Sequence, residues 1–230
     1  MELTLEQHII HQLLLRSGLD KDIGLYHGKM GIILFFVHYF KQTGQQIYED
    51  TAGELMVNLQ KEINSALPVG FANGLSGIGW GIEYLIQNGF SNNDSLEICE
   101  EIDRIIMEKD PLRMTDYTLD NGLEGIMHYV LAHIKGVWSQ HAILPFDEMY
   151  LSDLFQAVKN ISQDIELSNN FIQLSSDYST FYENRTEWNY SFQLSSILEN
   201  VEIKNNKLNS FTLGLKKGLS GYLLKKIYEN

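Results

Sequence analysis

One cysteine, three prolines and a shortage of basic residues set the first limits on this 230-residue chain. Cys99 has no second thiol to pair with, which excludes an internal disulfide and any multi-thiolate zinc site within the chain and fits a reducing compartment. Lys and Arg number 17 against 30 Asp and Glu, for a net charge of −13. Phosphate binding needs clustered bases, so nucleic acid is excluded as a main partner, and the acidity serves solubility. The longest apolar run, Met30 to Val37, is far too short to span a bilayer. The start, Met1-Glu2-Leu3-Thr4-Leu5-Glu6, has neither a basic nor an apolar leader region, so no signal peptide is expected and the sequence points to the cytoplasm. No long alternating stretch stands out, so essentially no sheet is expected. With 44% hydrophobic and 20% charged residues, the chain has the composition of a folded globular protein.

What the sequence does have is a recurring glycine frame. It reads Gly24-Leu-Tyr-His27-Gly28-Lys-Met-Gly31, then Gly70-Phe-Ala-Asn73-Gly74-Leu-Ser-Gly77, and near the end Gly214-Leu-Lys-Lys217-Gly218-Leu-Ser-Gly221. A fourth copy, Thr118-Leu-Asp-Asn121-Gly122-Leu-Glu-Gly125, lacks only the first glycine. The middle glycines fall at 28, 74, 122 and 218, so the steps are 46, 48 and then twice 48. A fixed step of about 47 residues marks a repeat architecture, with one unit that has lost its glycines.

Each frame opens an apolar run and is followed by an amphipathic one. A capping box, Thr4 with Gln7, starts a first helix from Leu5 to about Arg16, with Gly18 as its stop. From Gly31 to Phe40 nearly every side chain is apolar, which predicts a buried helix; after Gly44 a stripe of Leu55, Met56, Leu59 and Ile63 predicts an outer partner. The second unit repeats this with Leu75 to Ile86, then Asp94 and Glu97 capping a helix striped by Ile98, Ile102, Ile105 and Ile106. In the third, Gly122 to Ile134 is followed by a helix from Asp147 carrying Leu154, Val158, Ile161 and Ile165. From about 166 to 210 the pattern weakens, and only Ser191 to Leu198 reads as helix; the last inner helix spans Leu215 to Tyr228 and has no outer partner. Pro68, Pro111 and Pro145 all fall between helices. The first glycine of each frame is expected in a turn at positive φ, and the second and third on one helix face that lets a neighbouring helix close in.

An all-α chain of such hairpins, each opened by Gly-x-x-x-Gly-x-x-Gly, resembles the lanthionine synthetase C-like family, well over residues 20–135 and 212–228 and poorly between. The resemblance implies an (α/α) toroid, which in the family has seven inner helices ringed by seven outer ones. Five units cannot close such a ring, so residues 1–230 are expected to form one incomplete (α/α) toroid domain with a degenerate unit at about 166–210. Family cyclases hold zinc through two cysteines and a histidine, the second cysteine directly preceding that histidine. The metal activates a peptide cysteine for addition to a dehydrated Ser or Thr. This sequence has no Cys-His pair and no second cysteine, so no zinc ligand, cofactor or catalytic residue carries over. The implied role is a zinc-free, non-catalytic module that binds a peptide or protein partner in bacterial lanthipeptide-type maturation, with self-association through the open toroid edge. The alternative is an active toroid enzyme, cyclase-like or a carboxylate-dependent hydrolase, that lacks the usual metal site.

The candidate peptide-binding residues are His27, Asn73, Asn121 and Lys217, each just before a middle glycine, where exposed helix-start amides would favour a carboxylate. Asn73 and Asn121 are good N-cap types, and His27 suits a hydrogen bond at the helix start. Other histidines are weaker candidates: His8 and His11 share a face without a third ligand, and His128 and His133 do not share one. Gly24 to Lys29 falls short of a phosphate loop, and Gly77-Ile-Gly79-Trp-Gly81 lacks the βαβ setting of a dinucleotide site. Glu83, Asp120 and Glu124 are the acids a hydrolase could use, although no spacing pairs them. The aromatics Tyr178, Phe181, Tyr182, Trp188 and Tyr190 are expected to be packing within a loop.

Overall fold

A computed structural model describes residues 3–162, 164–185 and 188–229. Among these the chain is all-α, with α1 (Leu5–Arg16), α2 (Lys29–Thr43), α3 (Gln46–Glu62), α4 (Leu75–Gln87), α5 (Ser95–Met107), α6 (Leu123–His141), α7 (Glu148–Lys159), α8 (Asn169–Asn184) and α9 (Leu219–Glu229), and no strand. They fall into two compact units, α1 to α3 with α9, and α4 to α8.

In the first unit α1 starts at the expected capping box: the Gln7 amide donates to Thr4 Oγ1 at 3.2 Å and the Thr4 amide to Gln7 Oε1 at 2.8 Å. Instead of stopping at Gly18, the chain tightens into a 3₁₀ turn, Ser17–Leu19. Helix α2 is buried on every side from Lys29 to Phe36 and half-exposed beyond, so its apolar run overstates the burial of the last turns. It ends at Gly44, whose φ of 69° is the left-handed cap that glycine adopts without cost. Against it α3 buries Tyr48, Ala52, Leu55 and Leu59, one stripe at helical period, and α9 closes the unit with Leu219, Leu223 and Leu224.

In the second unit α4 packs on α6 and α5, while α7 and α8 pack on one another. Two glycines set how near α4 and α6 come. A Cβ at Gly79 would lie 2.3 Å from the Tyr129 ring, and one at Gly136 would lie 2.1 Å from Glu83 Oε2. Helix α8 corrects the sequence reading, which placed its only helix of that region at Ser191 to Leu198; there the chain makes just a 3₁₀ turn, Leu194–Ile197. Helix α8 has a Ser168 cap, its hydroxyl accepting from the Phe171 amide at 2.9 Å, and a stripe of Phe171, Leu174, Tyr178 and Phe181. The poor helix formers on its outer side hid that stripe. Tyr178 and Phe181 are therefore packing residues, as expected, but on a helix.

The glycine frame is a self-capping loop. In all four copies the first helical amide donates back to a carbonyl six residues before the middle glycine: Lys29 to Asp22, Leu75 to Pro68, Leu123 to Asp116 and Leu219 to Thr212, each at 2.9 Å. A Cβ on the middle glycine would collide with that same carbonyl oxygen, at 2.2 Å for Gly28 and Gly74 and 2.4 Å for Gly122. Positive φ is absent from the described frame glycines, contrary to expectation; among the described glycines it occurs at Gly44 and Gly89. Nor do the third glycines simply face a neighbouring helix. A Cβ at Gly31 would meet the Leu25 carbonyl at 2.3 Å and Leu215 Cγ at 2.8 Å, and one at Gly125 the Leu119 carbonyl at 2.4 Å and Phe71 Cβ at 2.6 Å. Each is pressed by its own loop and by the loop of another frame, the last one for Gly31 and the second for Gly125. The frames also pair through their third residues, Ala72 donating to the Asp120 carbonyl and Lys216 to the Tyr26 carbonyl, both at 2.9 Å.

Substituting Gly125→Ala should therefore destabilise the chain by about 1–3 kcal/mol, the usual cost of forcing an extra methyl into packed surroundings. Gly53→Ala, in the exposed interior of α3 with open space around its Cβ, should stabilise by about 0.5–1 kcal/mol. Urea denaturation of both variants checks the pair; equal effects would contradict the packing account.

Candidate functional site

His27 is half-buried, with Nδ1 sealed from solvent and no partner for it among the described residues. Asn73 and Asn121 are exposed. Lys217 is exposed with a left-handed φ of 54° and reaches Glu199 at 3.6 Å. The structure brings these residues together in pairs: His27 and Lys217 on the loops joined through Tyr26 and Lys216, and Asn73 and Asn121 on the loops joined through Ala72 and Asp120. Their expected capping role is not observed, since Gly28, Gly74 and Gly122 are the N-caps and none of these helices has a side-chain cap. The leading amides of these helices already donate to loop carbonyls, which removes the donors that the carboxylate argument relied on.

The densest chemistry lies elsewhere, in the second unit. Three helices each contribute two residues one turn apart: Glu83 and Gln87 from α4, Cys99 and Asp103 from α5, Tyr129 and His133 from α6. His133 Nδ1 lies 2.6 Å from Glu83 Oε1 and Nε2 lies 2.9 Å from Asp103 Oδ2, with all three side chains at least 95% buried. Both acceptors are carboxylate oxygens, so the ring donates through both nitrogens and is an imidazolium. The Tyr129 hydroxyl donates to the other Asp103 oxygen at 2.5 Å, and the Gln87 amide donates to Glu83 Oε2 at 2.7 Å and to the Ala132 carbonyl at 2.8 Å. Burial alone would lower the His133 pKa, but the hydrogen bonds and charges of Asp103 and Glu83 outweigh it and hold the value at about 9. Burial also pushes the Asp103 carboxyl up, against the pull of His133 and Tyr129, and pushes the Cys99 thiol and Tyr129 hydroxyl well up.

Cys99, Glu83 and His133 offer ligand atoms that all lie within 4.8 Å of one another. The sequence reading considers Cys99 only as a thiol without a partner and treats Glu83 and His133 separately. A signal was present: Glu83, Asp103 and His133 each interrupt an apolar helix face, where a charge persists only if it is paired.

The other histidines divide by environment. His128 is buried among Phe71, Tyr190 and Phe192, with its Nδ1 3.0 Å from the Tyr190 hydroxyl, and burial lowers its pKa to about 3. As expected, it shares nothing with His133. His8 bonds Asn205 at 2.8 Å and lines, with His11, an open surface cavity of about 1030 Å³.

A family model described as lanthionine synthetase C-like protein matches residues 20–224. The chain belongs to that family. Membership carries with it the (α/α) toroid fold class that the resemblance implied. No curated protein matches the chain, and no solved structure does. The zinc set that the family resemblance implied does not fit this lanthionine synthetase C-like chain, because that set needs two thiolates and Cys99 is the only cysteine.

The His133 pairing makes stability depend on pH. Its folded pKa is raised, so the stabilisation is complete below about 6.5 and is lost as pH rises through about 9. Urea midpoints in chelator-containing buffer should fall across the alkaline range for the wild type and much less for His133→Gln. Parallel curves would rule out an imidazolium clamp.

Proposed function

We propose that this chain acts as a binding module of lanthipeptide-type maturation, holding a peptide or protein partner without performing the cyclisation. One observation carries the reading: the single thiol, Cys99, is fully buried on α5, so a two-cysteine cyclase centre cannot assemble within this chain. Family membership supplies the peptide context. The exposed frame-end side chains Asn73, Asn121 and Lys217, with His27, are the surface we assign to that partner. A self-associated form belongs to the same reading.

The decisive assay mixes the chain with a dehydrated, cysteine-containing precursor peptide. Because cyclisation leaves mass unchanged, alkylation of free thiols is the readout, alongside fluorescence anisotropy for binding. Saturable binding with thiol count unchanged is expected, and Asn73→Ala with Asn121→Ala should weaken it. Chain-dependent thiol loss would restore the cyclase. Sedimentation should show a dimer or larger species, and a monodisperse monomer at high concentration would count against the self-association.

A carboxylate-dependent hydrolase is the second reading, and one cavity favours it. Glu124, its carboxyl pushed up by burial although Ser168 donates to it at 3.2 Å, lines a space of about 710 Å³ with Asp116 and Glu166. Glu83 is not part of this arrangement, being committed to His133 and Gln87. Turnover of chromogenic glycosides that vanishes in Glu124→Gln would establish this reading; no turnover by the wild type would remove it.

A further inference from the structure

We propose that Glu83, Cys99 and His133 form a buried structural site for a zinc-class divalent ion. Three helices supply one donor each, a carboxylate oxygen from α4, a thiol sulfur from α5 and an imidazole nitrogen from α6, all mutually within 4.8 Å. A mixed sulfur, nitrogen and oxygen set selects a borderline-soft ion such as zinc over magnesium or calcium, which prefer oxygen alone.

The outer shell is already built. His133 Nε2 is fixed by Asp103, which leaves Nδ1 to face the metal, and Asp103 is itself held by the Tyr129 hydroxyl. The second oxygen of Glu83 is held by Gln87. Carboxylate–histidine–metal relays of this kind orient a ligand ring and raise its basicity.

The exchange balances. The metal-free cluster holds two carboxylates, one imidazolium and one thiol, a net charge of −1. On binding, the ion takes the place of the Nδ1 proton of His133 and the Sγ proton of Cys99, and both protons leave to solvent. A divalent ion with a thiolate, a neutral imidazole and the same two carboxylates again sums to −1. The dry interior gains no net charge, and the Nδ1 to Oε1 hydrogen bond is exchanged for two metal bonds. Full burial of all three donors leaves no place for a substrate, so the ion would tie α4, α5 and α6 together. This goes beyond the binding-module reading and stands or falls independently of it.

The test is titration of the metal-free full chain with Co²⁺, followed by displacement with Zn²⁺. Because the chain has one thiol, a thiolate-to-cobalt charge-transfer band reports Cys99 directly and needs no variant. A band that saturates at one equivalent and is abolished by zinc is the expected result. Cys99→Ser should lose it, while Asp103→Asn should keep it with affinity weakened about 10–100-fold. His8→Ala with His11→Ala, on the surface of the other unit, should leave it unchanged. Absence of a thiolate band in the folded wild type would overturn the site, as would cobalt binding that disappears in the His8/His11 variant.

Discussion

One hydrogen bond, repeated four times, governs this structure. At each frame the first amide of a buried helix donates to a carbonyl in the loop that precedes it, and a loop carbonyl occupies the space where a Cβ would stand, the same carbonyl at Gly28, Gly74 and Gly122 and that of Gly214 at Gly218. A helix start is a costly place to bury, because its leading amides have no partner within the helix. The loop supplies the partner from its own backbone, so the helix can enter an apolar interior without a polar side chain. Glycine at the middle position is the steric condition for this arrangement. The second-residue amides follow the same path, Met30 to Ile23, Ser76 to Val69 and Ser220 to Leu213. Once the loops are tied in this way they also tie to one another, Ala72 to Asp120 and Lys216 to Tyr26, and repeat stacking follows from backbone geometry.

The same economy explains why these helix starts are poor anion sites. Their donors are used internally, and what the loops present outward is the side chain before the glycine: Asn73, Asn121 and Lys217. A surface that differs from frame to frame, on a backbone that does not, suits recognition of a partner through side chains. In the second unit the polar groups are instead turned inward. A buried ion pair gains little net stability when complete, whereas removing one member leaves a stranded charge at a cost of about 3–5 kcal/mol. The Glu83, His133 and Asp103 cluster satisfies all three groups where α4, α5 and α6 meet, with Gly79 and Gly136 giving the room between α4 and α6.

Much of this fold was legible because local rules and tertiary demands agreed. The capping box at Thr4, the Asp94 and Asp147 caps and the apolar runs after Gly28, Gly74 and Gly122 each appear where their chemistry placed them. Helix α8 was missed because Asn, Ser and Thr on its exposed side weakened the propensity signal, although Phe171, Leu174, Tyr178 and Phe181 keep helical period. The left-handed glycine expectation failed for a related reason: spacing shows that a side chain is forbidden, but not whether a torsion angle or a neighbouring atom forbids it.

The sequence alone therefore determined the repeat, the helical class, the helix starts at Thr4, Gly28, Gly74, Asp94, Gly122 and Asp147, and the lack of a second thiolate, because each depends on residues within a few turns of one another. Tertiary structure decided that Cys99 lies within reach of Glu83 and His133, residues 16 and 34 positions away, and that Asp103 sits on the far side of the same imidazole. Those partners belong to three helices, and no period along the chain encodes the angle at which one helix meets the next. That angle is set by volume, at Gly79 against Tyr129 and Gly136 against Glu83, where the missing side chain of one helix makes room for a polar group of another.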